Sequence, residues 1–409
     1  MNASGFGSLE SGRSSPVAKT FDPVINVYRW AVLATHCSVL LYFLNTDILT
    51  ILRRDIEPLC WPYFESCWQF RLTSGAWIQV LLIVQSLLIV AAGFALIVRR
   101  WATFWVVMII LNIYLFALVS LDYRLRANEF YMLFWFNAVF LFWPAKRWAI
   151  PLILISFYFW AGTLKLNYEW LSGAVLYHGL FLIPPQFAWI ACAYVVTLEM
   201  VVVWGLLANR VWVRWLTLSQ FALFHIESLS QIHWFYPLLM AAMLSCFVID
   251  WMTPTDSLQV SLSSLFRGRA PLSAYVLLVL FGMFQLSPYL FRGDKVLTGK
   301  GRIFALHMFE ARQTCDVHML VHYTDRSSEN VDLLLRQLPP RIVCDPVVYY
   351  DRATNLCRDH ATYPGFADAD LLMHARRSTD TVMTTVIDEE NLCSRRAMNK
   401  TLPNNRSMR

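Results

Sequence analysis

Apolar residues fill long runs along the first 290 positions, broken only by short polar joints, and after that the pattern changes. A helix that crosses a bilayer needs about 20 mainly apolar residues. Runs that meet or approach this length lie near 26–45, 77–98, 101–121, 127–143, 148–166, 186–207, 211–225, 233–251 and 271–291. The run at 211–225 is short and carries Arg214, so a spanning, an interfacial and a re-entrant helix all remain open for it. Beyond residue 300 the texture is different. Val317–Tyr323 and Ile342–Tyr350 are β-branched or aromatic and bounded by Asp and Pro, which predicts strands. Ala367–Arg377 places Ala367, Leu371 and Met373–His374 at helical spacing, which predicts a helix. The expected fold is an all-α polytopic membrane bundle of about eight or nine spans over 25–292. A small mixed α/β extramembrane domain follows over 293–390, with polar tails at 1–24 and 391–409.

Composition sharpens this. Of 409 residues, 57% are hydrophobic and 15% charged, against roughly 25% charged in ordinary soluble domains. A typical soluble enzyme is thereby excluded, because one aqueous core cannot bury so much apolar side chain. Seventeen Trp, seventeen Tyr and twenty-eight Phe suit membrane–water interfaces. The charge is uneven: residues 300–409 hold 29 of the 62 Asp, Glu, Lys and Arg. The net charge of +6 follows from membrane topology, and no run of Lys and Arg with interleaved aromatics points to nucleic acid.

Short cytoplasmic loops collect Lys and Arg. With the N-terminus inside, Arg99–Arg100, Lys146–Arg147, Arg210/Arg214 and Arg267/Arg269 fall in inside loops, while 167–185 and 226–232 carry no Lys or Arg. Arg53, Arg54, Arg71, Arg124 and Arg126 run against the pattern. Nine spans leave the C-terminal domain extracytoplasmic or ER-luminal. The first 24 residues lack an apolar core, so no cleaved signal peptide is expected and the first span acts as its own targeting signal. Cys60 and Cys67 share one outside loop, and Cys315, Cys344, Cys357 and Cys393 lie in the terminal domain. Even sets on that side suit disulfides, with free thiols as the alternative and no zinc spacing present. Asn399-Lys400-Thr401 and Asn405-Arg406-Ser407 are glycosylation sequons.

Charges left inside a bundle are candidates for function. Lys165 ends the aromatic stretch Phe157-Tyr158-Phe159-Trp160-Ala161-Gly162-Thr163-Leu164. Burial there disfavours the ammonium, and a neutral amine can take protons. The plainer alternative is that Lys165 snorkels to the interface or pairs with Glu169 one turn on. Gly162, on the same face, would admit a flat ligand or a neighbouring helix. Glu199 sits mid-span and must be paired, protonated or wet; Arg29 and His36 are possible structural partners. His225 and His233 flank Glu227 near the same membrane face and suit either proton transfer or interfacial hydrogen bonding. None of these has metal-ligand spacing, so no metal is expected.

The stretch Tyr158-Phe159-Trp160-Ala161-Gly162-Thr163-Leu164-Lys165-Leu166 with Trp170 and Gly173 resembles the lysine signature of vitamin K-dependent γ-glutamyl carboxylases and the wider horizontally transferred transmembrane (HTTM) group. His225 with Ile232–Met240, Phe304–Phe309 with Val317–Asp325, and Phe366–Leu372 resemble later segments of that family. Glu129, in Ala127-Asn128-Glu129-Phe130-Tyr131, stands where the family carries a histidine. The resemblance implies a membrane enzyme in which Lys165 deprotonates reduced vitamin K or a related hydroquinone. Oxygenation by O2 would follow, with CO2 added to glutamate of a secreted protein or peptide. It further implies that Trp160, Gly162 and Trp170 neighbour the quinone, with Glu129, His225 and His233 as proton carriers or substrate contacts. The competing expectation is a non-catalytic membrane protein that binds a lipid or a protein partner. A transporter is disfavoured, since matching halves with Gly/Pro-broken helices are not seen.

Overall fold

The computed structural model describes residues 22–45, 58–64, 67, 75–176, 178–231, 233–252, 260–301, 303–306, 312–335, 338, 342–360 and 363–395. Among the described residues, nine apolar helices build the bundle: α1 (Pro23–Asn45), α2 (Gly75–Ile97), α3 (Trp101–Ser120), α4 (Asn128–Phe142), α5 (Lys146–Leu164), α6 (Ala188–Met200), α7 (Val211–Ser228), α8 (Phe235–Met252) and α9 (Leu272–Leu286). Six helical segments among the described residues are long and apolar enough to cross a membrane: Pro23–Asn45, Trp77–Ile97, Trp101–Ser120, Lys146–Leu164, Pro185–Leu207 and Leu272–Leu290. The run at 211–225 is a continuous helix, α7, with Arg214 buried and its Nε donating to the Ala208 carbonyl.

End-to-end contacts show that α4 runs opposite to α5 and α9, and that α8 runs opposite to α1. At one end the Arg147 guanidinium meets Asp22 (Nη2 at 2.9 Å from Oδ1) and the Trp143 indole donates to the Ser273 carbonyl at 3.0 Å. At the other, Tyr42 stacks on Phe235 with centroids 4.3 Å apart, and the Gln285 amide donates to the Tyr131 hydroxyl at 2.9 Å. Helix α5 is the central pillar, with Trp148, Ile150, Ile153, Leu154 and Phe157 buried. Helices α2 and α3 instead expose Ile83, Leu87, Phe94, Ile113 and Phe116, as lipid-facing helices do.

The terminal domain is a four-stranded antiparallel sheet of order β2-β1-β3-β4, with β1 Gln313–Tyr323, β2 Ser328–Asp332, β3 Phe366–Arg377 and β4 Thr384–Glu389. Helix α10 (Pro346–His360) covers one face, packing Tyr349, Ala353 and Cys357 against Val317, Met319, Leu371 and Met373. The strand expected at Val317–Tyr323 is β1. Two expectations are corrected. Ala367–Arg377 is not helical but lies in β3: Ala369, Leu371, Met373 and Ala375 are buried in strict alternation, a period of two that the pair Met373–His374 disguised. Ile342–Tyr350 is not a strand but the lead-in to α10. Asp345 caps that helix by accepting the Val347 N–H at 3.1 Å, Pro346 opens it, and Tyr349, Ala353 and Cys357 recur every fourth residue.

Salt and hydrogen bonds hold the domain on the bundle. Arg126 Nη1 lies 3.2 Å from Asp345, whose Oδ2 also accepts the Tyr123 hydroxyl at 2.9 Å. Asp351 accepts the Cys60 N–H at 3.2 Å, and Arg377 pairs with Asp294. Tyr131 donates to the Phe304 carbonyl at 2.7 Å and Gln285 accepts the Leu306 N–H at 2.8 Å. Disulfides join Cys60–Cys67, Cys315–Cys344 and Cys357–Cys393, all at this end, while Cys37, Cys192 and Cys246 within the bundle form no disulfide. The sequons at Asn399 and Asn405, and Arg53, Arg54 and Arg71, lie outside the described residues.

Candidate functional site

Helix α5 ends at Leu164, and Lys165 folds in as its C-terminal cap. The side chain is 4% exposed and its Nζ lies 2.5 Å from both oxygens of Glu199, which is fully buried in α6. The partner is therefore Glu199, and not the nearby Glu169; Glu199 in turn is engaged by neither Arg29 nor His36. Arg29 lies over Trp101, and His36 meets the Asn137 amide at 3.1 Å. Gly162 explains how the two helices come so close. A Cβ there would meet Met200 Cγ at 2.7 Å and Glu199 Cβ at 3.0 Å. A buried ion pair gains little net stability over apolar packing, yet removing one partner costs roughly 3–5 kcal/mol. Such a pair is thus a fixed feature once present.

Beside the pair lies a cavity of about 380 Å³. Its walls are mainly Leu176, Leu180, Ile183, Val195, Leu198 and Phe224, and polar groups enter from Lys165, Glu129 and Tyr236. Trp170 forms part of the lining, its ring 5.1 Å from Lys165 Nζ and its indole N–H donating to the Cys192 carbonyl at 2.9 Å. Tyr236 stands within electrostatic reach of both Glu199 and Glu129. Leu182, Tyr194 and Leu223 line the cavity yet are 55%, 45% and 56% exposed. The space therefore reaches the apolar outer surface between α6 and α7. The loop over this mouth is pinned: the Glu227 carboxylate accepts the N–H groups of Phe181 and Leu182, and the Gln231 amide donates to the His178 carbonyl at 2.8 Å.

The structure thus brings together Lys165, Glu129 and Trp170. His225 sits just behind the lining, its Nε2 sharing a hydrogen bond of 2.7 Å with the Tyr158 hydroxyl and its ring 5.1 Å from Tyr236. Its Nδ1 is buried without a hydrogen-bond partner. Three other candidates lie elsewhere. Gly162 touches α6 rather than open space. Trp160 faces α9, where a Cβ on Gly282 would sit 3.4 Å from its ring. His233 is exposed, packed edge-on against Tyr42 with centroids 5.4 Å apart. Sequence reasoning missed Glu199 as the partner of Lys165, and it missed Tyr236. The signal for Glu199 was present, as a second charge in an apolar run; Tyr236 had none, since an aromatic in a membrane helix is ordinary.

Glu169 has a different job. Its Oε1 accepts the Arg312 N–H at 3.1 Å and the Ser378 hydroxyl at 2.7 Å, tying the turn after α5 to the terminal domain. Burial pushes this carboxyl above its usual 4.5, against the lowering effect of those hydrogen bonds. Among the described residues no group of three or more His, Cys, Asp or Glu is placed to hold a metal ion.

The fold and site together define a membrane-type helical bundle with a lateral apolar cavity and a buried lysine–glutamate pair in its wall. No family model, no curated protein and no solved structure matches this chain.

Proposed function

We propose that the cavity receives a lipophilic reduced quinone from the bilayer and that Lys165, working with Glu199, takes a proton from its hydroxyl. The observation that carries this reading is the buried amine of Lys165 in the wall of an apolar cavity, with Glu199 at 2.5 Å. The residues present suit such a molecule. Apolar walls accept a ring and chain, the mouth opens toward lipid, and about 380 Å³ lies within the usual small-molecule range of roughly 300–1,000 Å³.

The pairing dictates how the base works. An ammonium held by a carboxylate cannot accept a proton until it has passed one on. The hydroxyl O–H therefore breaks as its proton moves to Nζ, while an Nζ proton passes to a Glu199 oxygen. The pair gains one proton in all, and the negative charge moves from Glu199 to the bound molecule, still beside the Lys165 ammonium. In a low-dielectric site this charge balance matters more than it would in water. Tyr236 and Glu129 border the same space and position the polar end. A bound hydroquinone would itself supply the reducing chemistry with O2, and coupling to CO2 addition on a peptide glutamate is the further step that the family resemblance suggests. In this reading the N-terminus lies in the cytoplasm and the terminal domain on the extracytoplasmic or luminal side, which is supported by the two disulfides of that domain and by Cys60–Cys67 at the same end of the bundle.

The test is Lys165→Ala in native-like membranes, with consumption of a reduced naphthoquinone followed by its absorbance. Loss of at least about 100-fold in turnover is expected, in line with removal of a general base. Unchanged turnover overturns the assignment. A second reading, a non-catalytic lipophile-binding protein, is favoured by one observation: Glu199 already satisfies Lys165. Under that reading the wild-type chain binds the quinone and shows no consumption at all.

A further inference from the structure

At the opposite end of the bundle from the cavity, α1, α3 and α5 gather two cations among tryptophans. Arg29 of α1 lays its guanidinium over Trp101 of α3, with Cζ 4.0 Å from the ring centroid. Lys146, the first residue of α5, holds its Nζ 4.9 Å from the centroid of Trp105 and donates to the Trp143 carbonyl at 3.0 Å. Trp105 is itself braced by a stack on Phe140, 5.5 Å away. The two cations lie within repulsive reach of each other. Asp22 attracts Arg29, but its oxygens are committed to Arg147 and to the N–H groups of Val24 and Ile25.

Several donors are left over. Arg29 Nε is buried with no hydrogen-bond partner, and a lysine ammonium that spends one proton on a carbonyl keeps two more. Both side chains are only half-buried, so their free edges are accessible. Each cation rests one face on an aromatic ring, which fixes its position without neutralising it. Together they offer an anion two cationic donors set over aromatic rings. Trp101 and Trp105 mark the depth, because indoles settle at the headgroup layer of a bilayer.

The geometry points to a binding site for the phosphate of an anionic phospholipid headgroup between Arg29 and Lys146, with Trp101 and Trp105 against the start of its chains. Two fixed donors and an aromatic floor distinguish this from the diffuse attraction exerted by exposed Arg99 and Arg100 nearby. A free phosphate ion offers the same oxygens but nothing for the tryptophans to hold.

The experiment uses the full chain, purified in detergent micelles doped with phosphatidylglycerol or phosphatidylcholine, and counts retained lipid by native mass spectrometry. Wild-type protein is expected to retain phosphatidylglycerol in preference to phosphatidylcholine. At about fivefold per charge, Arg29→Gln combined with Lys146→Gln lowers that retention by roughly 25-fold, whereas Arg99→Gln combined with Arg100→Gln leaves it within about twofold. Arg29→Lys with Lys146→Arg, which keeps both charges, retains most of it and guards against a folding defect in the first pair. Unchanged retention in the glutamine pair overturns the site, as does a loss as large in the charge-preserving pair or in the Arg99/Arg100 control. Inorganic phosphate that displaces the lipid at equal concentration reassigns the site to a free anion and overturns the lipid.

Discussion

Gly162 has no side chain because Met200 and Glu199 already occupy that space. Alanine there would drive Cβ to 2.7 Å from Met200 Cγ and 3.3 Å from the Met200 backbone nitrogen. The side chain can rotate away, but the backbone cannot, so α5 and α6 must part. Overpacking of this kind costs about 1–3 kcal/mol. Gly162→Ala is therefore expected to lower the melting temperature in detergent and to weaken any activity that depends on Lys165, because it moves the partner carboxylate. A melting curve indistinguishable from wild type would contradict this close contact. Glu169 gives a prediction of opposite character. Its folded-state pKa is raised above 4.5 by burial, so its contribution to stability is fully present below 4.5 and is lost as pH rises through the raised value. Glu169→Gln removes that titration while keeping one oxygen for Arg312 and Ser378. The variant should show a flatter dependence of melting temperature on pH above 4.5 than the wild type, with equal slopes counting against the assignment.

Among the elements, the helices of the bundle were legible because apolar runs of twenty residues admit few other fates. The terminal domain was harder for a physical reason. In β3 the buried alternation Ala369, Leu371, Met373, Ala375 is flanked by Leu372 and His374, so periods of two and of three to four both find matches. In α10 the run Val347-Val348-Tyr349-Tyr350 has strand propensity, and only the Asp345 cap and Pro346 overrule it. At the site, Lys165 was legible as a charge in an apolar run. Its partner was not, since Lys165 and Glu199 lie 34 residues apart and nothing in sequence fixes which helices adjoin. Element geometry also holds one local cost. Ala145, which precedes α5, sits at φ 51° and ψ 49°, a left-handed conformation that strains a residue with a Cβ by roughly 1–2 kcal/mol. Ala145→Gly relieves this at an entropic cost of about 0.5–1 kcal/mol, so a small net rise in thermal stability is expected. Ala145→Val, β-branched at the same φ, should lower it, and the reverse order of melting temperatures would refute the reading.

At the scale of the whole molecule, three disulfides and a set of ion pairs gather at one end, and the cysteines that form no disulfide lie in the bundle. The links Cys315–Cys344 and Cys357–Cys393 close loops of 29 and 36 residues, and each is worth about 2–4 kcal/mol. Peptide mapping without reductant should recover both crosslinks from the membrane-isolated protein. Reductant should increase protease cleavage within 312–395 before the bundle is affected, and equal rates with and without reductant would oppose this. The charge-dense composition after residue 300 announced a separate aqueous part, but not where it attaches.

The attachment of Arg126 to Asp345 spans 219 positions of chain, and this separation sets a schedule. Arg126 emerges from the ribosome and reaches its place beside α4 long before Asp345 has been made. Throughout that interval Asp345, which Arg126 meets in the folded chain, has not been made, and neither has Asp351, which accepts the Cys60 N–H. The rim of the bundle is therefore completed by residues that follow its last helix, α9, in the chain. Attachment of the terminal domain is thus a step that follows synthesis of all the bundle helices, because Asp345 and Asp351 lie beyond α9 in the chain.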